Sequence, residues 1–294
     1  KYLGMVHPEG MKEGFEVSIE KLRDIASNYL FAIKKAADIY RHIAKNKGVS
    51  EFVTEVSMDE VDTPQKPLEL FFILSGLSME NVPVQTIAPR FSGRFNKGVD
   101  YIGDLNVFEK EFEDDLIILK YAIQEFGLPE NLKLSVHSGS DKFSIYPIIG
   151  KLIKNHDAGI HIKTAGTTWL EEMIGLSLAG SDALKLAKDI YKKAWERKQE
   201  LSKPYASVID IDDSELPDPN EVSEWSGEQF SNALRHIPDH PEYNLNFRQL
   251  IHVGYKIAAE FSETYKELIK ENAGIIETQV TENIFDRHIK RLFL

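Results

Sequence analysis

The chain has 294 residues, with 35 Lys and Arg against 47 Asp and Glu, a formal net charge of −12 and an apolar share of 42%. That apolar share excludes disorder as the main state. The absence of cysteine excludes disulfides, Cys-bound zinc and thiol nucleophiles, so any metal must be held by nitrogen and oxygen, and the acidic balance argues against a sequence-blind grip on nucleic acid.

The opening Lys1–Phe15 has no strong period. From Val17 to Lys47, Leu22, Ile25, Tyr29, Ile33, Ala37 and Tyr40 recur at spacings of three and four, which predicts a helix stopped at Gly48. Phe52–Ser57, rich in β-branched and aromatic residues, predicts a strand, and Pro67–Met79 a helix. The alternation then repeats. Strands are expected over Val84–Ala88, Leu132–His137 and Ala158–Lys163, and helices over Leu105–Phe126, Ile145–Asn155 and Thr168–Leu178. Thr168 and Glu171 have the spacing of a capping box. Beyond Gly180 the strand signal fades. Asp182–Leu201, Ser226–Arg235, Phe247–Lys270 and Thr281–Leu292 read as helices, with Asp210–Pro219 an acidic linker. No stretch is apolar over the ~20 residues that cross a bilayer, and no N-terminal stretch reads as a secretory signal, so a cytoplasmic protein with no membrane partner is expected.

Four strand–helix units in succession predict an α/β fold with a parallel sheet. Strands buried on both faces read as continuous apolar runs, yet here Glu55 and Ser57, Ser135 and His137, and His161 and Lys163 each share a parity. Polar side chains on one face near the strand ends are what a (β/α)-barrel site needs. The expected organisation is therefore a helical lead-in over 1–49, four units of a TIM-barrel-like fold over 50–180, and an α-helical C-terminal region over 181–294.

Three segments carry chemistry. Ser135-Val136-His137-Ser138-Gly139-Ser140-Asp141-Lys142 lies where a strand hands over to a loop. His137 can reach a metal or carry a proton there, Ser138 and Ser140 can hold oxygens, and Lys142 can neutralise an anion. His161-Ile162-Lys163-Thr164-Ala165-Gly166 occupies the equivalent place in the next unit, with His161 and Lys163 on one face and a helix N-terminus following. Glu55 shares the polar parity of its strand and can serve as metal ligand or general base. Arg90, after Val84–Ala88, can clamp a carboxylate or form a structural ion pair. His252 sits in an apolar-periodic helix, so the core is its first reading. Fingerprints of Walker, dinucleotide, serine-hydrolase and HExxH type are missing, which disfavours those chemistries.

Val136–Phe143, His161–Trp169, Ala88-Pro89-Arg90-Phe91 with Gly98–Asp104, and Arg248–His252 together resemble the bacterial tagaturonate/fructuronate epimerase family, from about Glu51 to Leu294. The resemblance implies a divalent-metal-dependent isomerase of hexuronate breakdown that inverts C4 of a keto-hexuronate. It makes His137 and His161, and less so His252, the expected ligands of zinc, nickel, cobalt, manganese or iron. Glu55 becomes the expected catalytic acid–base group, and Arg90, Ser138, Asp141, Lys142 and Lys163 the expected contacts to a small sugar-acid substrate. Family members carry a longer N-terminal part with an Asp-x-x-Asp-His segment that is not found here before Glu51, so this chain is expected to match the C-terminal part of the enzyme. Another metal-dependent barrel enzyme (an aldose–ketose isomerase or a hydrolase) and a non-catalytic helical binding module stand as alternatives. The oligomeric state stays open, a homo-oligomer included.

Overall fold

The structure is a computed structural model that describes residues 1–294 except 50, 60, 62 and 137–140. The chain forms two compact units built from interleaved segments. The first comprises 1–93, 103–137 and 148–162, and the second 94–102, 138–147 and 163–294.

The first unit opens with a short antiparallel ribbon, β1 (Gly4–Val6) with β2 (Phe15–Val17), where the sequence shows no period. Ser18 then caps α1 (Ile19–Lys47) by accepting the Lys21 amide, and Gly48, at φ 92°, ends it as expected. The parallel sheet follows: β3 (Glu55–Ser57), α2 (Pro67–Met79), β4 (Thr86–Ala88), α3 (Leu105–Phe126), β5 (Lys133–Val136), α4 (Tyr146–Asn155) and β6 (Ile160–Ile162). Spatial order equals chain order, β3-β4-β5-β6, and every pairing is parallel. The mixed α/β reading and the four strand–helix alternations therefore hold.

The register explains the polar parity. Val56, Ile87, Leu134 and Ile160 stand in one row across the four strands. Successive side chains alternate between faces, so this row marks the apolar face. Glu55, Ser57, Thr86, Ser135 and His161 fall on the opposite face. The interior of the unit is supplied largely by Leu70, Phe71, Ile73 and Leu74 of α2 and by Phe108, Phe112 and Ile118 of α3, all essentially inaccessible. α3 is closed at both ends, by the Asp104 carboxylate accepting from the Asn106 and Val107 amides and by Gly127 in the left-handed region.

The second unit is helical. α5 (Ala165–Ala179) is buried all round rather than along one stripe, with Leu170, Met173, Ile174 and Leu176 inaccessible. Against it pack α6 (Ser181–Glu196), α9 (Gly227–Leu234), α10 (Leu245–Val253), α11 (Tyr255–Glu271) and α12 (Ala273–Thr281), while α7 (Lys198–Ser202) and α8 (Pro219–Glu224) pack on α6. A π-helical stretch, Glu282–Ile289, leads into α13 (Lys290–Phe293). Gly227 lets α9 begin against the end of α5, because a Cβ there would lie 2.1 Å from the Ser177 carbonyl oxygen.

Two local expectations change. α5 starts at Ala165, so Thr168 lies inside the helix and its hydroxyl donates to the Thr164 carbonyl, while Glu171 is buried instead of capping. The acidic 210–219 stretch is not loose. Gln249 accepts the Asp210 amide and donates to the Asp210 carbonyl, and Asn246 accepts the Asp212 amide. Among the described residues, no helix is long and apolar enough to cross a membrane.

Candidate active site

The polar face of the sheet gathers four side chains into one hydrogen-bonded row. The Thr86 hydroxyl donates to Glu55 Oε2 at 3.0 Å, the same oxygen lies 2.9 Å from His161 Nδ1, and Ser135 Oγ lies 3.1 Å from that nitrogen. Glu55 stands on β3 and His161 on β6, the two outer strands. In a flat sheet three strand spacings would hold their backbones ~14 Å apart while both side chains stood upright. A direct contact between them requires the sheet to roll, with the polar face concave.

The pair is graded in exposure. The Glu55 side chain is 21% exposed and the His161 side chain 43%. An ionised carboxylate accepts and does not donate, so the contact fits a His161 Nδ1 that carries a proton toward Glu55. A neutral imidazole oriented by a carboxylate in this way is the usual preparation of a metal ligand or a proton acceptor. Among the described residues no three His, Asp or Glu side chains converge as a cation cage. His161 Nε2 is therefore one oriented nitrogen donor of the kind a first-row divalent cation accepts.

Arg90 follows β4. Its guanidinium donates to the Asp59 carbonyl at 3.1 Å and its amide to Gln65 Oε1 at 2.7 Å, so it ties together the segments after β3 and β4. Ser57 Oγ donates to Asp59 Oδ1 at 2.5 Å beside it.

The Asp141 carboxylate belongs to a different centre, inside the second unit. Oδ2 accepts from the Arg248 guanidinium at 2.8 Å and from His236 Nδ1 at 3.2 Å. Oδ1 accepts from the Thr167 hydroxyl at 3.0 Å and lies 3.5 Å from His288 Nε2. Burial opposes its charge, but the Arg248 guanidinium and the His236 contact hold its carboxyl well below the usual range. Lys142 is equally buried. Its ammonium donates to the carbonyls of Asn96 and Val99 at 3.0 and 2.6 Å, and burial pushes its pKa down to about 7. Arg248 also donates to the carbonyls of Gly98 and Leu234.

Residues 1–292 match the family described as tagaturonate epimerase. The chain belongs to this family. It is 32% identical over 295 residues to a tagaturonate/fructuronate epimerase of Thermotoga maritima, covering 99% of this chain and 55% of that protein. It is also similar to crystal structures of the fructuronate-tagaturonate epimerase UxaE from Cohnella laeviribosi. One glycerol-complexed form matches with a TM-score of 0.78 at 26% identity, covering 99% of this chain and 55% of the other. A second glycerol-complexed form gives a TM-score of 0.78 at 25% identity, with the same coverage. The chain thus spans about half the length of the relatives it matches.

Of the residues singled out in the sequence, the structure brings Glu55 and His161 together. Asp141 and Lys142 were expected as contacts to a substrate. Both are fully buried: Arg248, His236, His288 and Thr167 surround the carboxylate, and the Asn96 and Val99 carbonyls accept from the ammonium. Lys163 is half-buried in the second unit just after β6, and His252 is buried in α10, in keeping with its core reading. His137 and Ser138 lie outside the described residues. Sequence reasoning passed over Thr86, whose parity with Glu55 shows only once the register is known. Arg248 entered the sequence reading only within the Arg248–His252 motif, with no role assigned, and the structure shows it as the buried partner of Asp141.

Proposed function

We propose that this chain forms part of an epimerase that inverts C4 of a keto-hexuronate, interconverting D-tagaturonate and D-fructuronate. Membership of the tagaturonate epimerase family and the Glu55–His161 pair on the concave face support this reading. The chain-ordered, rolled parallel sheet is read as part of a (β/α)-barrel, whose reacting molecules meet inward side chains at the strand ends.

His161, together with His137, would hold a divalent cation, for which N and O ligands suit zinc, nickel, cobalt, manganese or iron. When bound, such a cation polarises a ketose carbonyl as a Lewis acid. The residues then need to move one proton. C4 lies β to the C2 carbonyl, so its hydrogen is not acidified by a single enolate, whereas its hydroxyl proton can be taken by a base. In the proposed route a base takes the C4 hydroxyl proton and C4–O becomes an aldehyde. The C3–C4 bond breaks, with its electron pair delocalised from C3 onto the C2 oxygen. The aldehyde turns its other face, C3 attacks it, and the proton returns to the C4 oxygen. Arg90 and Lys163 are the cationic candidates for the substrate carboxylate.

The test is incubation of the purified protein with D-fructuronate and each divalent cation in turn, with products resolved by NMR. D-tagaturonate formed without solvent deuterium at C4, and lost on chelation, supports the reading. Deuterium at C4 overturns the bond-cleavage route. Conversion to an aldose, hydrolysis, or no conversion with any cation overturns the assignment.

A further inference from the structure

The row Thr86–Glu55–His161–Ser135 contains more order than a single acid–base pair needs. Two oxygens, Glu55 Oε2 at 2.9 Å and Ser135 Oγ at 3.1 Å, converge on one nitrogen, His161 Nδ1. Oε2 is itself fixed from the other side by the Thr86 hydroxyl at 3.0 Å. A free imidazole prefers its proton on Nε2. Here both neighbours of Nδ1 can accept, and the ionised carboxylate can only accept.

We propose that Glu55 is a positioning residue. It holds His161 as the Nδ1-protonated tautomer, with Thr86 steering the carboxylate and Ser135 sharing the Nδ1 proton, so that His161 Nε2 is the working atom of the pair. Glu55 is the more buried partner and its Oε2 already takes two donors from the sheet. His161 is the side chain that reaches solvent. The hydrogen bond also restrains ring rotation, which otherwise costs entropy each time a ligand or proton is received. Outer partners of this kind commonly change metal affinity ~10–100-fold when removed. Only the statement of what Nε2 receives, a divalent cation or a hydroxyl proton, rests on the proposed function; the tautomer does not.

Imidazole ¹⁵N shifts of the chelator-treated protein test the assignment above the usual imidazole titration range, with the His161 signals identified by their loss in His161→Gln. The expected result is a protonated Nδ1 and a bare Nε2. In Glu55→Ala the proton moves to Nε2, and in Glu55→Gln, whose amide oxygen still accepts, Nδ1 keeps it. Thr86→Ser, which keeps the hydroxyl, preserves the wild-type shifts. Should Glu55→Ala fail to fold, the wild-type shifts and the Glu55→Gln and Thr86→Ser spectra still decide. A proton on Nε2 in the wild type, or a Glu55→Ala spectrum identical to the wild type, overturns the proposal. Calorimetric titration with Zn²⁺ or Mn²⁺ adds a second readout, with affinity expected to fall ~10–100-fold in Glu55→Ala and to recover in Glu55→Gln. Correct tautomers without epimerase activity would refute the proposed reaction alone, and activity with a proton on Nε2 would refute the positioning role alone.

Discussion

Glu55 and His161 share a 2.9 Å hydrogen bond although two strands separate them in the sheet. The contact joins the two edges of the polar face of the sheet.

If this pair is the proton-handling centre, His161→Ala lowers kcat for C4 epimerisation ~10²–10⁴-fold, the usual reach of a lost acid–base group. Far-UV circular dichroism should remain that of the wild type, because His161 is a half-exposed side chain on an outer strand. A variant with near wild-type kcat places the chemistry elsewhere.

Arg248 and Asp141, both inaccessible, form a buried ion pair at 2.8 Å. Removing one partner of such a pair leaves an uncompensated buried charge, which costs about 3–5 kcal/mol. Arg248→Met should lower the urea midpoint accordingly, and adding Asp141→Asn should recover part of the loss, because the two substitutions share one interaction. Additive losses would show that the pair is not coupled.

Glu171 sets a pH window. Burial pushes its carboxyl up to about 7, while its Oε1 accepts from Asn283 at 2.7 Å. The folded state therefore binds a proton that the unfolded state, at the ordinary value of 4.5, has already released. The associated stability is complete below the unfolded value. It is lost as pH rises through the folded one, by up to about 3 kcal/mol. Glu171→Gln, a neutral near-isostere, should flatten this slope and leave the protein more stable than wild type above neutral pH. Parallel pH profiles of the two proteins in urea unfolding would refute it.

Gly175 and Gly76 both sit within helices but predict opposite outcomes. A Cβ at Gly175 would lie 2.6 Å from Ile276 Cγ1 and 2.9 Å from its backbone Cα, so α12 would have to move. Gly175→Ala should destabilise by about 1–3 kcal/mol. At Gly76 the nearest atom, at 2.9 Å, is the flexible end of Ile33. A small shift of that side chain, with the helix propensity gained, should keep Gly76→Ala within about 1 kcal/mol of wild type. Thermal melts of the two variants compare them directly.

The β/α alternation was legible because periods of two and near four are written locally. Glu55 and His161 could be marked by parity alone. Thr86 could not, since only the register of Val84–Ala88 against the neighbouring strand pairs it with Glu55. The surroundings of Asp141 and Lys142 were not legible for a related reason. A loop rich in Ser, Gly, Asp and Lys has the composition of an open binding loop. Arg248, which buries the Asp141 carboxylate, lies 107 residues away in the chain.

By itself, the sequence determined the strand–helix alternation of the parallel sheet, its polar parity and the family to which the chain belongs. The tertiary structure decided which polar groups meet. It rolled the sheet so that its two outer strands bring a carboxylate to an imidazole, and it enclosed Asp141 between the Arg248 guanidinium, Thr167 and two histidines. Periodicity is a property of neighbours along the chain, whereas the exposure and protonation of a side chain depend on groups that only folding brings within hydrogen-bond reach.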